Sequence, residues 1–319
     1  MIEIPDRETA LREVEDGDWA GYFDRQQKRL NKSGSGSHGG TIVLTDSYPL
    51  NKTFKVESRV ELFGAYRAKH HIGSSCGFEA LPGFQGSWVV EWKTPRAGKY
   101  YSNFGAGLRQ IHVQSVPGVG GVYFRGAQQS SGIDNVFVRG YGGAVGLRMG
   151  GDTYSVRDVF SDALKGGDAL PRPSGSIAFD LGEKRVVSLR LENITAHDCE
   201  IGLRCADVAQ VTIENFETEL TLFPFVVNYS PRGINARNCA FRHTRSILKM
   251  NRVRWASNCL IKMDGQVSDN KPGQITLPDG GVVEVPKTFD LVVEATKQGV
   301  EVTNLREMRD FYREGRQSA

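Results

Sequence analysis

Residues 190–219 read RLENITAHDCEIGLRCADVAQVTIENFETE, and one short phrase occurs in them twice: Leu191, Asn193 and Ile194 are answered by Ile213, Asn215 and Phe216. Working outward, an Asn or Asp stands at the same address in six places, Asn135, Asp158, Asn193, Asn215, Asn238 and Asn258, at steps of 23, 35, 22, 23 and 20 residues. An apolar residue lies two before each (Ile133, Val156, Leu191, Ile213, Ala236, Ala256) and another one after (Val136, Val159, Ile194, Phe216, Cys239, Cys259). Two short strands of period two would point both neighbours inward, provided the residue between them bends the chain through the left-handed region, which Asn tolerates at low cost. One such coil per 20–25 residues predicts an all-β chain wound as a parallel β-solenoid.

A second strand recurs after each bend: VYF (122–124), VGL (145–147), IAF (177–179), IGL (201–203), FVV (225–227) and ILK (247–249). The one long interval comes from KGGDALPRPSG (165–175), whose Gly and Pro make it a surface loop. Before the repeats, Trp19, Tyr22, Phe23 and Leu30 share one side of a helix in DWAGYFDRQQKRL, followed by SGSGSHGG; the helix reads as a cap on the open end of the rod, or as a flexible arm. After Lys262, ITLPDGGVVEV (275–285) and LVVEATKQGVEVTN (291–304) read as hairpins, and Asn304 as the cap of a short helix. The organisation expected is an N-terminal arm and capping helix over 1–39, a parallel β-helix over 40–264 and a tail of hairpins and helix over 265–319.

Composition excludes some classes. With 319 residues, 39% hydrophobic, 24% charged and a net charge of +3, the chain is an ordinary globular sequence with no electrostatic signature of nucleic-acid binding. No run of 18 apolar residues predicts a membrane span, and the start MIEIPD has neither the basic nor the apolar segment of a secretory signal. Five cysteines without a CxxC pair argue against a disulfide framework or a zinc site; Cys239 and Cys259 read as a stacked buried pair, with a disulfide as the alternative. No nucleotide-binding loop or metal-ligand spacing occurs, so no cofactor is expected.

The first coil, GGTIVL (39–44), YPLNKTFKV (48–56) and SRVELFGAY (58–66), carries a glycine pair, a tyrosine-initiated second strand and a closing xVxLxG. In these features it resembles the single-stranded right-handed parallel β-helices of the pectate lyase superfamily, over about residues 20–260. Arg59 stands where that pattern has Asn, so this coil is expected to lack its bend residue. The resemblance implies a right-handed helix and, among its members, polysaccharide lyases, polygalacturonase-like hydrolases and phage tailspikes; by the last analogy it implies a homotrimer. The NTD, DD and GHG motifs of the polygalacturonase-like members are absent, as are the clustered aspartates of the calcium-dependent lyases.

Outward side chains of a β-helix form ladders, one residue per coil and about 4.8 Å apart. Four residues after each bend the ladder reads Gln114, Arg139, Asp162, His197, Glu219, Arg242 and Lys262. Asp162 and Glu219 then lie two coils apart, roughly 9–10 Å, with His197 between them as a base or hydroxyl-orienting group, a separation near the upper end used by inverting glycosidases. These three are the candidate catalytic residues. A mixed-sign ladder is equally what a solvated sheet face needs, and a parallel ladder one residue before the bend (Arg109, Asp134, Arg157, Glu192, Glu214, Arg237) alternates in the same way with no chemistry attached. Phe137 and Phe160, two residues past adjacent bends, form a step on which sugar rings could stack, with Arg139 and Arg242 beside it. On the other face Arg125, Arg148, Arg204 and Lys249 align as an anion-binding stripe, interrupted by Asp180 and Asn228, or as a subunit contact. Three functions are open: a polysaccharide-binding and cleaving β-helix of tailspike type, extracellular or on a virion; a non-catalytic structural or decoration rod; or a secreted lyase, hydrolase or epimerase.

Overall fold

The computed structural model describes residues 1–32, 39–65, 76–93, 104–140, 145–163, 175–182, 186–229, 231–253, 259–269, 272–296 and 298–308. The chain winds as a right-handed parallel β-helix. One stack of strands runs through Gly132–Arg139, Ser155–Asp162, Arg190–His197, Val211–Glu219 and Ile234–Arg242, each paired in parallel with the next. A second runs through Gly120–Ala127, Val145–Gly151, Ile177–Leu181, Ile201–Cys205, Phe223–Tyr229 and Leu248–Val253. Most of the loop at 165–175 lies outside the described residues.

Each strand of the first stack is broken where the repeat places its polar residue. Asn135, Asp158, Asn193, Asn215 and Asn238 all have φ between 52° and 54° or 56°, in the left-handed region. The apolar neighbours on both sides, from Ile133 and Val136 to Ala236 and Cys239, are buried to within 1%. The bend amides stack along the axis: Asn193 Nδ2 donates to Asp158 Oδ1 at 2.8 Å, Asn215 Nδ2 to Asn193 Oδ1 at 2.7 Å and Asn238 Nδ2 to Asn215 Oδ1 at 2.6 Å.

Three expectations change. Arg59 does not leave the first coil unbent: its own φ is 63°, and its place is five residues upstream of the Asn column, in line with Gly105, Ser130, Thr153, Ser188 and Gln210, all left-handed. Asn258 and Ala256 lie outside the described residues, and the strand that pairs with Ile234–Arg242 is Cys259–Val267, shifted so that Gly265 faces Cys239. A Cβ at Gly265 would come within 2.2 Å of the Cys239 carbonyl oxygen, an approach only glycine permits. Cys259 therefore pairs with Ala295 of an antiparallel strand rather than stacking on Cys239, and Lys262 faces Asn235 instead of extending the ladder. The cause is a coincidence of text, ARNC at 236–239 against ASNC at 256–259.

Both ends of the core are closed. The helix Trp19–Lys32 lays Phe23 against Tyr48, Phe54 and Phe78, with ring centroids 5.2, 5.2 and 5.3 Å away. Gln27, fully buried, donates to the Lys55 carbonyl and accepts from the Glu57 N–H, both at 2.9 Å, which fixes the helix to the second strand of the first coil. At the far end the hairpins Gly273–Thr276 with Val282–Val285, and Thr288–Thr296 with Gly299–Asn304, form as the sequence predicts. Asn304 Oδ1 accepts from the Arg306 N–H at the start of the helix at 305–308, whose expected continuation lies outside the described residues. No helix among the described residues is long and apolar enough to cross a membrane.

Phe23→Ala should cost about 3–5 kcal/mol in urea unfolding, the range for removing a buried aromatic. Asn215→Ala should cost about 1–3 kcal/mol, because it loses the ladder hydrogen bonds and leaves an alanine left-handed. Asn215→Gly should recover part of that loss, and equal destabilisation by both variants would show that bend strain is not what the asparagine relieves.

Candidate functional site

The side chains that follow the bend fall into two adjacent outward columns. Two residues past it stand His112, Phe137, Phe160, Thr195 and Glu217; four residues past it stand Gln114, Arg139, Asp162, His197, Glu219 and Arg242. The pairing registers stack Asp162, His197 and Glu219 on three consecutive coils, with Arg139 and Arg242 at either end of that set. Such stacking requires a common bend address in every coil, because a slip of one residue would turn the column inward.

Asp162 is only 4% exposed. Its Oδ1 lies 3.2 Å from His197 Nδ1, and its Oδ2 lies 3.8 Å from Arg139 Nε. The hydrogen bond to Asp162 raises the imidazole pKa of His197 above its ordinary value; burial opposes the shift, and the charges of Asp162, Asp198 and Glu219 add to it. Asp162 thus holds His197 by one ring nitrogen. Glu219, half-buried, follows one coil later.

Phe137 and Phe160 stack with centroids 5.3 Å apart, and the Phe160 ring lies 6.3 Å from that of His197. The Arg139 guanidinium sits 5.0 Å over Phe137. Aromatic faces, imidazole and carboxylates so form one continuous surface across five coils. His112, beneath Phe137, belongs to this surface and was not among the candidates. Its Nε2 lies 3.1 Å from Ser47 Oγ, which in turn donates to Glu79 Oε1 at 2.8 Å. The signal was present: Gln110, with φ of 53°, has Leu108 two before it and Ile111 one after it, the same inward pattern on a bend residue that is not Asn.

The arginine stripe of the other face is differently arranged from the expected one. Arg148 stacks on Tyr123, not on Arg125, which pairs with Gly150; both guanidinium groups lie against the Tyr123 ring, at 5.5 and 5.7 Å. Arg148 and Arg204 close on the fully buried Asp180 from either side, Arg204 through two hydrogen bonds of 2.8 and 2.6 Å and Arg148 at 3.5 Å. Val226, not Asn228, lies between Arg204 and Lys249, and Lys249 Nζ sits 4.5 Å over the Phe223 ring. Shifting a strand by two residues keeps its inward face inward, so periodicity alone left this register open.

From Arg109 to Glu214 the ladder before the bend is ion-paired. Arg109 meets Glu61 at 2.7 Å, Arg157 meets Asp134 at 3.1 Å, and Arg190 reaches Glu192 and Glu214 at 3.5 and 3.4 Å. Those charges are satisfied within the sheet, whereas Arg237 at the ladder's end has no ion-pair partner among the described residues. Among the described residues no group of three or more His, Cys, Asp or Glu side chains is placed to hold a metal ion.

No protein-family model matches the chain, and no curated protein matches it in sequence. Among solved structures it is similar to the A-module of a mannuronan C-5 epimerase of Azotobacter vinelandii, at 13% identity over 74% of this chain and 69% of that one, with a TM-score of 0.51. It also matches the tailspike of an Acinetobacter phage at 13% identity and a TM-score of 0.45, covering 74% of this chain and 42% of the tailspike chain. The catalytic domain of a GH87 α-1,3-glucanase matches at 9% identity and a TM-score of 0.36, covering 82% of this chain and 56% of that one. At these identities the likeness is one of fold, a parallel β-helix.

The His197–Asp162 contact sets a pH dependence. A folded-state pKa above the ordinary 6.5 means that the contact stabilises fully below that value and ceases to do so as pH rises through the folded value. Asp162→Asn should therefore destabilise the protein more at pH 5.5 than at pH 9, and should lower the His197 pKa read from its imidazole NMR resonances. An unchanged His197 titration in the variant would mean that the two side chains do not interact in solution.

Proposed function

We propose that this chain is a surface β-helix that binds a polysaccharide and cleaves it, in the manner of a tailspike. The observation that carries this reading is the juxtaposition, on one outward face, of the Phe137–Phe160 step with the Asp162–His197 pair and Glu219. Stacked aromatic rings suit the apolar faces of sugars, and the neighbouring column supplies groups able to move protons. The mannuronan epimerase match supports polysaccharide as the partner only through that enzyme's own substrate.

Burial divides the roles. Asp162 is too enclosed to meet a polymer and acts as the positioning residue, fixing the ring of His197 and favouring its protonated form. His197 then delivers a proton to the departing glycosidic oxygen, and Glu219, one coil on, takes a proton from the attacking water or from the sugar ring itself. Hydrolysis and elimination both follow from that pair. Phe137 and Phe160 hold the sugar, while Arg139 and Arg242 grip polar groups at either end; Arg125, Arg148, Arg204 and Lys249 contact polymer that wraps onto the second face. The extensive ion pairing of the outward ladders favours the second reading, a non-catalytic rod of a virion or cell surface. The assembly proposed is a homotrimer acting outside the cell or on a virion.

Glu219→Gln should abolish shortening of a cleavable polysaccharide, followed by product chromatography, while changing unfolding free energy by less than about 0.5 kcal/mol, since an outward ladder residue contributes little. If the wild type shortens no member of a panel of neutral and acidic glycans, the decoration reading stands instead. Sedimentation at micromolar concentration should give three times the monomer mass of 35.2 kDa.

A further inference from the structure

Between Glu219 and Asp264 the chain has no acidic residue. Residues 220–263 carry eight Lys or Arg and no Asp or Glu, a net +8 in a protein whose total is +3; at the chain's own frequency about five acids would fall there. The segment's described residues, 220–229, 231–253 and 259–263, belong to the last coils of the helix. Arg242 closes the candidate ladder immediately after Glu219, the chain bends at His243 with φ of 54°, Arg245 follows, and Lys249 opens the next strand. Arg232, Arg237, Arg242 and Arg245 are exposed. None of them has a carboxylate within ion-pair distance among the described residues, whereas Arg109, Arg139, Arg148, Arg157, Arg190 and Arg204 of the earlier coils each do.

Below Arg245 the surface sinks into a cavity of about 710 Å³ lined by His243, Arg245, Ser268, Asp269 and Gln274 among others. The carboxylate of Asp269 is committed to the bend itself, accepting the backbone N–H groups of His243 and Thr244. The cavity wall is thereby shaped by a tied acid and edged by a free guanidinium. Arg237 and Arg242 stand one coil after Glu214 and Glu219 without reaching ion-pair distance of them, so these exposed guanidinium groups keep their charge for an anion laid across the surface.

We propose that these last coils are a polyanion-binding belt, and that its occupant is a carboxylated or sulfated polysaccharide. The assignment deepens the function proposed above by naming the acidic class of glycan, and it rests on that reading for the choice of a sugar polymer. Nucleic acid is disfavoured because, among the described residues, the aromatic ring beside these cations is not open to stacking bases: Phe223 is 8% exposed and lies beneath Lys249.

The test is isothermal titration of the full chain with polygalacturonate, dextran sulfate, uncharged dextran and a DNA duplex. Both acidic polymers should bind, uncharged dextran should bind at least tenfold more weakly, and raising salt from about 50 to about 500 mM should weaken the acidic polymers at least tenfold. Arg242→Glu combined with Arg245→Glu should weaken them by about tenfold, while Arg12→Glu, exposed at the other end, should leave them unchanged. Equal binding of uncharged dextran, tighter binding of DNA, or an unaffected double variant would each overturn the belt. Binding is read without turnover, so a protein that binds acidic polymers but cleaves nothing keeps the belt and loses only the catalytic proposal.

Discussion

The left-handed bend at one address in every coil is the constraint on which the rest of this structure depends. A strand that ran straight through Asn193 would carry Ile194, Thr195 and His197 on into a flat sheet; bent there, it folds around the core and keeps Ile194 inside and His197 outside. The amides that make the bend affordable to the backbone also lock neighbouring coils, each donating to the one before, until Asp158 ends the run with a group that only accepts. Register follows from this lock. Contacts between residues 35 positions apart, such as His197 with Asp162, then become nearest-neighbour contacts on a ladder.

Because every coil needs partners above and below, a rod of this kind has two vulnerable ends, and the chain closes them differently. At the start an amphipathic helix presents Trp19, Tyr22 and Phe23 to the exposed ring of core side chains, so the last apolar layer is never wet. At the finish the strand direction reverses. The antiparallel partner of Cys259–Val267 continues the core with Phe289, Leu291, Val293 and Ala295 while ending the parallel stack, which removes the template that an open parallel edge would offer to another chain.

The fold was legible because two independent signals, the polar bend and the flanking apolar pair, recur together. Where only one signal was strong the reading faltered. Gln110 and Arg59 bend left-handed without being Asn or Asp, so a repeat keyed to those two residue types left out the first and misjudged the second. Asn258 had the right text but lies outside the described residues, and the strand that pairs with Ile234–Arg242 is Cys259–Val267, which Asp264 and Gly265 turn one residue short. The second stack has no bend residue that recurs from coil to coil among the described residues. Its short apolar triplets can slide by two without exposing a hydrophobe, and Arg125 was accordingly set beside Arg148 when Tyr123 stands there. Burial is a further property that the ladder pattern could not supply: it located Asp162 on the right column but not beneath the surface.

Charge along the rod is segregated in a way the total of +3 conceals. Through the middle coils acids and bases alternate and neutralise each other within the sheet, to the point that Asp180 is held between two guanidinium groups out of contact with water. Beyond Glu219 the alternation stops. That residue is the last acid on its ladder, with His197 before it and Arg242 after it, so the candidate site lies at the boundary between a balanced surface and a cationic one. A polymer laid across this boundary would meet aromatic rings, then His197, then Glu219, then unpaired arginines. No step of that order is symmetric under reversal, and an asymmetric track gives a directional polymer one preferred orientation on the protein.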